Sequence, residues 1–316
     1  MPILSGVPQG SVLAPLLFVL FINDVPSILS KDLFKSKLFA DVLKGYDVSS
    51  YRLNPDIVQI KLDTLIQWCK TWQLNLSLSK CGSLMLCGHS PFNDNYDLHA
   101  YSDPINTLED IKDLGVFIDK NLSLTKPLNS VICKAKQRIY LIFKSFVSRN
   151  IKLLIAAYKT YILPILDYCS SVWSAYKLTD IDRIENVQRY FTKRLSGLWY
   201  VSYSNRLSFC SLVSLELRRL ITDLVLCFKI VYKLIALNFN DFLKFDNNKV
   251  TRGHSLKLCY PLCRLDIRLN FFAVRVVKPW NSLPESVVTA GSVSAFKCLL
   301  KCFNLSKFLK RNCDMV

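Results

Sequence analysis

Histidine is nearly missing from this chain: His89, His99 and His254 are its three copies in 316 residues. None stands where it would complete a zinc knuckle, and no two of the 12 cysteines have Cys-x-x-Cys spacing. Cys259 with Cys263, and Cys298 with Cys302, are four apart, a spacing that suits helical thiols. No zinc is expected. Glycine and proline are also scarce, at 9 and 12 residues, which excludes a collagen-like or low-complexity chain. The N-terminus lacks the basic start of a secretory leader. The cysteines are scattered rather than arranged as a disulfide framework, so free thiols in a reducing compartment, cytoplasm or nucleus, are expected. Long uninterrupted apolar runs are missing as well. Val12 to Ile22 is short and contains Pro15; Leu220 to Phe239 is interrupted by Asp223, Lys229 and Lys233. Stable membrane insertion is not expected.

What the chain has in excess is apolar side chains and positive charge. The hydrophobic fraction is 51% and the charged fraction 21%, enough to bury a sizeable core in one large or two smaller domains. The formal net charge is +17, from 41 Lys and Arg against 24 Asp and Glu. That excess is not spread evenly. Residues 1–128 carry 11 basic and 13 acidic residues, residues 129–200 carry 12 and 4, and residues 201–316 carry 18 and 7. A near-neutral module thus precedes a strongly basic one, and basic surfaces of this strength suit a polyanion: nucleic acid or an acidic membrane face.

Periodicity gives an α+β reading for the first 128 residues. Ser11 is placed to cap a helix ending near Ile22, where Asn23, Asp24 and Pro26 stop it. Lys35 to Asp41 and Lys44 to Val48 read as hairpin strands, with a turn near Asp41 and Val42. Asn54 and Pro55 start a helix carrying Ile57, Ile60, Leu65, Trp68, Cys69 and Trp72 at helical spacing. Ser83 to Cys87, Tyr96 to Tyr101 and Ile111 to Ile118 read as strands, giving an antiparallel sheet with helices on it. Beyond Leu128 the pattern turns helical, over Asn129–Val147, Ile151–Ser174, Asp180–Leu195 and Leu215–Leu237. Val274 to Trp280 reads as a last strand or helix before a helix over Ser294–Leu309. Lys134, Lys136, Arg138, Lys144 and Lys152 are interleaved with apolar positions, so a basic helical face for phosphates is expected. Tyr140, Tyr158 and Tyr161 fall at helical spacing and are expected in the core, with contact to sugar or base as the alternative.

The most informative stretch is Ser5-Gly6-Val7-Pro8-Gln9-Gly10-Ser11-Val12-Leu13-Ala14-Pro15-Leu16-Leu17, continued by Ile22-Asn23-Asp24. It resembles the segment before the catalytic hairpin in reverse transcriptases of non-LTR, jockey-like retrotransposons. Phe39-Ala40-Asp41-Val42 resembles the hairpin itself, where the family has two aspartates and this chain has Asp41 and Val42. Leu74 to Cys81 resembles the loop after the palm helix, and Leu114-Gly115-Val116 with Asp119 the primer grip. Tyr161 to Trp173, Ile184 to Gln188 and Val277-Lys278-Pro279-Trp280-Asn281-Ser282-Leu283-Pro284 look like the tails of jockey-like enzymes.

The resemblance implies a partial polymerase palm over residues 1–128, a helical thumb over 129–240 and a basic helical region over 241–316. It implies nucleotide and template contacts at Gly6, Pro8, Gln9 and Gly10, a primer grip at Leu114 and Gly115, and catalytic roles for Asp41 and Lys80. It further implies Mg²⁺ as cofactor and RNA, DNA or an RNA–DNA duplex as partner. Two-metal phosphoryl transfer needs several carboxylates, and Mg²⁺ takes hard oxygen ligands that valine lacks. The family's principal metal-binding aspartate lies upstream of Gln9, so an N-terminally truncated, catalytically inactive fragment that binds no Mg²⁺ is expected, at most a nucleic-acid binder. The alternatives are a non-enzymatic nucleic-acid-binding protein with a new cellular role, or a peripheral membrane or helical scaffold protein.

Overall fold

The computed structural model describes residues 10–30, 34–47, 55–86, 98–246 and 253–311. It divides into two compact units, Met1–Asp113 with Ile118–Leu122, and Leu114–Phe117 with Ser123–Val316.

The first unit starts with α1 (Ala14–Ile22) and α2 (Val25–Leu29). Pro15 sits in the first turn of α1, where a missing N–H costs nothing, and the Ala14 N–H donates to Ser11 Oγ at 3.1 Å. Strands β1 (Phe34–Phe39) and β2 (Val42–Asp47) pair antiparallel with Phe39 opposite Val42. Their two-residue turn, Ala40 and Asp41, puts Ala40 at φ +49°. Helix α3 (Pro55–Thr71) follows. Trp68 and Cys69 pack with Ile22, Val25, Leu29 and Phe34, and the Trp68 indole N–H donates to Asp24 Oδ2 at 3.1 Å. Ile57 and Ile60, at apolar positions of the same helix, are exposed, as is Trp72 just beyond its end, whereas Val58 and Leu65 pack against the cluster.

Among the described residues, the expected antiparallel sheet appears as three two-stranded ones: β1–β2, β3 (His99–Ala100) with β4 (Asp103–Pro104), and β5 (Asp110–Asp113) with β6 (Val116–Asp119). Ile111 to Ile118 is a hairpin rather than one strand, since Leu114 at φ +44° and Gly115 at φ +88° reverse the chain. Of the run from Ser83, the described part makes one isolated bridge, Ser83 to Thr107.

The second unit is helical: α4 (Thr125–Ser145), α5 (Ile151–Tyr161), α6 (Leu163–Asp167), α7 (Ser170–Trp173), α8 (Leu178–Lys193), α9 (Tyr203–Phe209), α10 (Leu215–Val231), α11 (Phe239–Phe242), α12 (Asp266–Leu269), α13 (Phe272–Arg275), α14 (Val277–Asn281), α15 (Glu285–Val288) and α16 (Val293–Cys302). Side-chain caps start several of them. Asn150 accepts from the Lys152 and Leu153 N–H groups at 2.9 and 3.3 Å, Ser214 from Leu217 at 3.2 Å, and Ser292 from Ala295 at 3.1 Å. The helix expected over Ile151–Ser174 is three helices. Pro164 has no N–H to continue the ladder, and Cys169 at φ +51° turns the chain again. Val274 to Trp280 lies in α13 and α14, so the strand alternative is excluded.

Two apolar clusters hold this unit. In the first, Leu128, Ile139, Leu154, Ile184 and Phe191 are fully buried, and Tyr158 stacks on Phe191 with ring centroids 4.5 Å apart. In the second, Phe228 stacks on Phe296 at 4.4 Å beside Trp280, whose indole N–H donates to the Leu256 carbonyl at 2.8 Å. Each fully buried side chain of this size contributes roughly 1.5–3 kcal/mol. Polar links run through this interior. Glu185 accepts hydrogen bonds from the Tyr203 hydroxyl and, at 2.9 Å, from the Leu215 N–H. Burial pushes the Glu185 carboxyl above its ordinary pKa, against the pull of Tyr203, Arg219 and the Leu215 N–H. Arg275 pairs with Asp223 at 2.8 Å and donates to the Ser171 carbonyl at 2.8 Å, tying α13 to α10 and α7. Among the described residues, no helix is long and apolar enough to cross a membrane.

Candidate nucleic-acid interface

Asp41 stands at the turn of the β1–β2 hairpin and is exposed, with Phe39 at 61% exposure and Val42 at 41% on either side. The hairpin thus presents one carboxylate at the two positions where the resemblance expects a pair. Val42 brings no oxygen donor, and among the described residues no three His, Cys, Asp or Glu side chains converge as a metal-holding group. This donor set does not fit two divalent cations. Gly6, Pro8 and Gln9 lie outside the described residues. Gly10 is described, at φ +84° with nothing within 4 Å of where a Cβ would stand. Lys80 ends the short 3-10 helix Leu78–Lys80 and is exposed.

Leu114 and Gly115 form the tip of the β5–β6 hairpin and belong to the second unit. The Tyr168 hydroxyl donates to the Leu114 carbonyl at 2.7 Å, which fixes the tip from the α6–α7 connection. A cavity of about 300 Å³ adjoins it, lined by Gly115, Pro127, Val131, Lys134, Ile165 and Trp173 among others. The sequence pattern gave no sign of this cavity, because its wall combines a hairpin tip with α4 and α6.

Helix α4 carries the clearest division of labour. It buries Leu128, Ile132, Ala135, Ile139, Ile142 and Phe143, and exposes Lys134, Lys136, Arg138 and Lys144 on its other side. Lys134 and Arg138 are one turn apart, while Lys136, Tyr140 and Lys144 continue a second row, with the Lys144 ammonium 5.9 Å from the Tyr140 ring centre. Lys152, on α5, is exposed too. From Lys120 to Leu166 the sequence has nine Lys and Arg and no Asp or Glu. The core expectation for three tyrosines holds for Tyr158, fully buried with its hydroxyl donating to Gln188 at 2.8 Å. It fails for Tyr140 and Tyr161, which are 60% and 55% exposed on the outward faces of α4 and α5.

A sequence model described as reverse transcriptase (RNA-dependent DNA polymerase) matches residues 1–144, which include α1, the Asp41 hairpin and nearly all of α4. Among curated proteins, the RNA-directed DNA polymerase from mobile element jockey of Drosophila melanogaster is 24% identical over 211 residues, covering 63% of this chain and 23% of that protein. Its counterpart in Drosophila funebris is 25% identical over 207 residues, 62% and 22% of the two chains. The probable RNA-directed DNA polymerase from transposon X-element of Drosophila melanogaster is 24% identical over 206 residues, again 62% and 22%. The alignments span less than a quarter of the length of these relatives. No solved structure matches the chain. Residues 1–144 therefore match the reverse transcriptase family, and over about three fifths of its length the chain is similar to RNA-directed DNA polymerases of Drosophila mobile elements.

Proposed function

We propose that this chain binds RNA, DNA or an RNA–DNA duplex through the exposed cations of α4 and Lys152, and does not extend a primer by itself. The observation that carries the reading is the one-sided charge of α4, inside a segment that matches a family whose members bind nucleic acids. Cations in rows one turn apart neutralise successive phosphates and release counterions, which gives affinity without sequence preference. The second half of the reading rests on the hairpin. Reverse transcriptases use a divalent metal such as Mg²⁺, and Asp41 beside Val42 is half of the expected pair. The palm and thumb assignments, the primer-grip role of Leu114 and Gly115, and the catalytic role of Lys80 belong to the same proposal.

Fluorescence anisotropy with a labelled RNA–DNA duplex tests it. Affinity is expected to fall steeply between 50 and 200 mM salt, with a log–log slope of about −3 or steeper. Absence of any binding at the low end would remove the reading. Incubation of the same protein with primed template, deoxynucleotides and Mg²⁺ or Mn²⁺ is expected to give no extension, and template-directed products would overturn that half.

A further inference from the structure

A second cationic surface lies at the far end of the α4–α8 pair. The two helices run side by side in the same direction. Arg183, early in α8, donates to Asn129, early in α4, while Phe143 and Phe191 near their ends meet with ring centroids 5.5 Å apart. At that end the chain shows aromatic rings to solvent instead of burying them. Tyr190 is 48% exposed, Trp199 57% and Tyr200 97%. Cations stand against two of these rings. The Lys193 ammonium is 4.5 Å from the Trp199 ring centre, and the Arg194 guanidinium lies 5.3 Å from Tyr190 and 4.6 Å from Phe143. Arg194 also donates to the Tyr190 hydroxyl, and Arg149 lies 5.8 Å from the Phe143 ring. From Asn186 to Leu215 the sequence contains no Asp or Glu.

This patch differs in kind from the α4 face. There, Lys136 and Lys144 stand one turn on either side of a single exposed tyrosine, and Lys134 and Arg138 form a separate row. Here, three exposed rings and two cations fall within eleven residues. Paired bases hide their faces inside a duplex, whereas unpaired bases offer them for stacking on exposed aromatic side chains. We propose that Tyr190, Lys193, Arg194, Trp199 and Tyr200 form a site for unpaired nucleotides of single-stranded nucleic acid, in which the rings stack on bases and the two cations neutralise the adjoining phosphates. The proposal rests on the nucleic-acid-binding reading above and adds to it a strand-selective site.

The test uses the full chain, labelled oligo(dT) and a labelled RNA–DNA duplex at one salt concentration. The combined variant Tyr190→Ala, Trp199→Ala, Tyr200→Ala is expected to weaken oligo(dT) binding at least about tenfold, since stacking on the rings would carry much of the single-strand affinity. Duplex binding is expected to change less than about twofold. Because the three rings are exposed, circular dichroism melting should be unaltered, and Trp199→Phe, which keeps a ring, should restore affinity while losing most of the fluorescence quenching by oligo(dT). Equal loss on both ligands, or loss on neither, overturns the site. Duplex binding by the parent protein without oligo(dT) binding also overturns it, and leaves the α4 reading standing. Binding of neither ligand removes both. Capture by anionic vesicles that the triple variant abolishes, with oligo(dT) binding unchanged, would assign the patch to a membrane surface instead.

Discussion

The first unit gathers six described apolar side chains into its buried cluster, Ile22, Val25, Leu29, Phe34, Trp68 and Cys69, whereas the second has 22 and 18 in its two. The contrast is not one of apolar supply. Helix α1 is apolar along its whole length, yet it buries only Ala14 and Ile22 and leaves Leu16 and Leu20 at 57% and 65% exposure. Helices α4 and α8 are amphipathic, and each matches one buried face with one solvated face. A helix that is apolar all round needs cover all round, while an amphipathic helix needs a single neighbour. Charge divides the same way, with a near-neutral sequence up to Leu128 and a strongly basic one after it. Among the described residues, the second unit therefore holds both most of the buried apolar packing and the excess of positive charge.

The largest expected effect tests the packing half of this contrast. Trp280 is fully buried and hydrogen-bonded, so Trp280→Ala should cost about 3–5 kcal/mol in urea unfolding of the second unit. Leu20→Ala in α1, which removes an exposed side chain, should cost less than about 0.5 kcal/mol. Similar costs at the two positions would mean that α1 is covered in solution, and the contrast would fail.

The charge half is next. Replacing Lys134, Lys136, Arg138 and Lys144 together by alanine should reduce the salt slope of duplex binding by about three. Between 50 and 200 mM salt the parent protein should then lose about sixty-fold more affinity than the variant. An unchanged slope would place the phosphate contacts elsewhere on the second unit.

Both halves were unequally legible beforehand. The three-and-four spacing of apolar residues gave α4, α8 and α10 to within a few residues, because an amphipathic helix writes its own phase into its sequence. The exposure of Lys134, Lys136, Arg138, Lys144 and Lys152 followed from the same phase. Breaks were harder. Cys169 in a left-handed conformation and the Leu114–Gly115 tip depend on what holds the backbone there, and a Tyr168 hydroxyl 54 residues away does so at the tip. Tyr158 and Tyr161 show the limit within a single helix: both fit helical spacing, but only the partner surface decides that one is buried and the other is not. The β1–β2 hairpin was legible to within a few residues, whereas the pairing of the later strands was not, since strand partners are chosen across the fold and alternation alone does not name them.

A smaller effect probes the interior of the second unit. Tyr203→Phe removes a hydroxyl that donates to Glu185 and accepts from Gln188 at 3.0 Å, and should cost about 1–3 kcal/mol. Glu185 adds a pH dependence of its own. Its folded pKa is raised above 4.5 by burial, so the folded chain binds that proton more readily than the unfolded chain does. Stability from this group is therefore fully present below 4.5 and declines as pH rises through the folded value. In Glu185→Gln that contribution is gone, and the stability of the parent relative to the variant should increase as pH is lowered from neutrality toward 4.5. A constant difference across that range would show that Glu185 does not titrate in the window its burial implies.

The smallest expected effect returns to the first unit and asks what its hairpin lacks. Val42→Asp restores a second carboxylate beside Asp41 at a position already 41% exposed, where it faces Phe39 across the last pair of the ladder. Two like charges about 4 Å apart in water repel by roughly 1 kcal/mol, and the exposed strand end can relax to lessen it. The melting temperature should therefore move by no more than a few degrees. Primer extension with Mg²⁺ or Mn²⁺ should stay undetectable, because two carboxylates on one turn offer too few oxygen donors to hold two cations about 3.5–4 Å apart. Titration calorimetry with Mn²⁺ should show no binding tighter than millimolar. Template-directed extension by this variant would mean that the first unit, or a second copy of it, already supplies the remaining donors, and that one side chain separates the hairpin from activity.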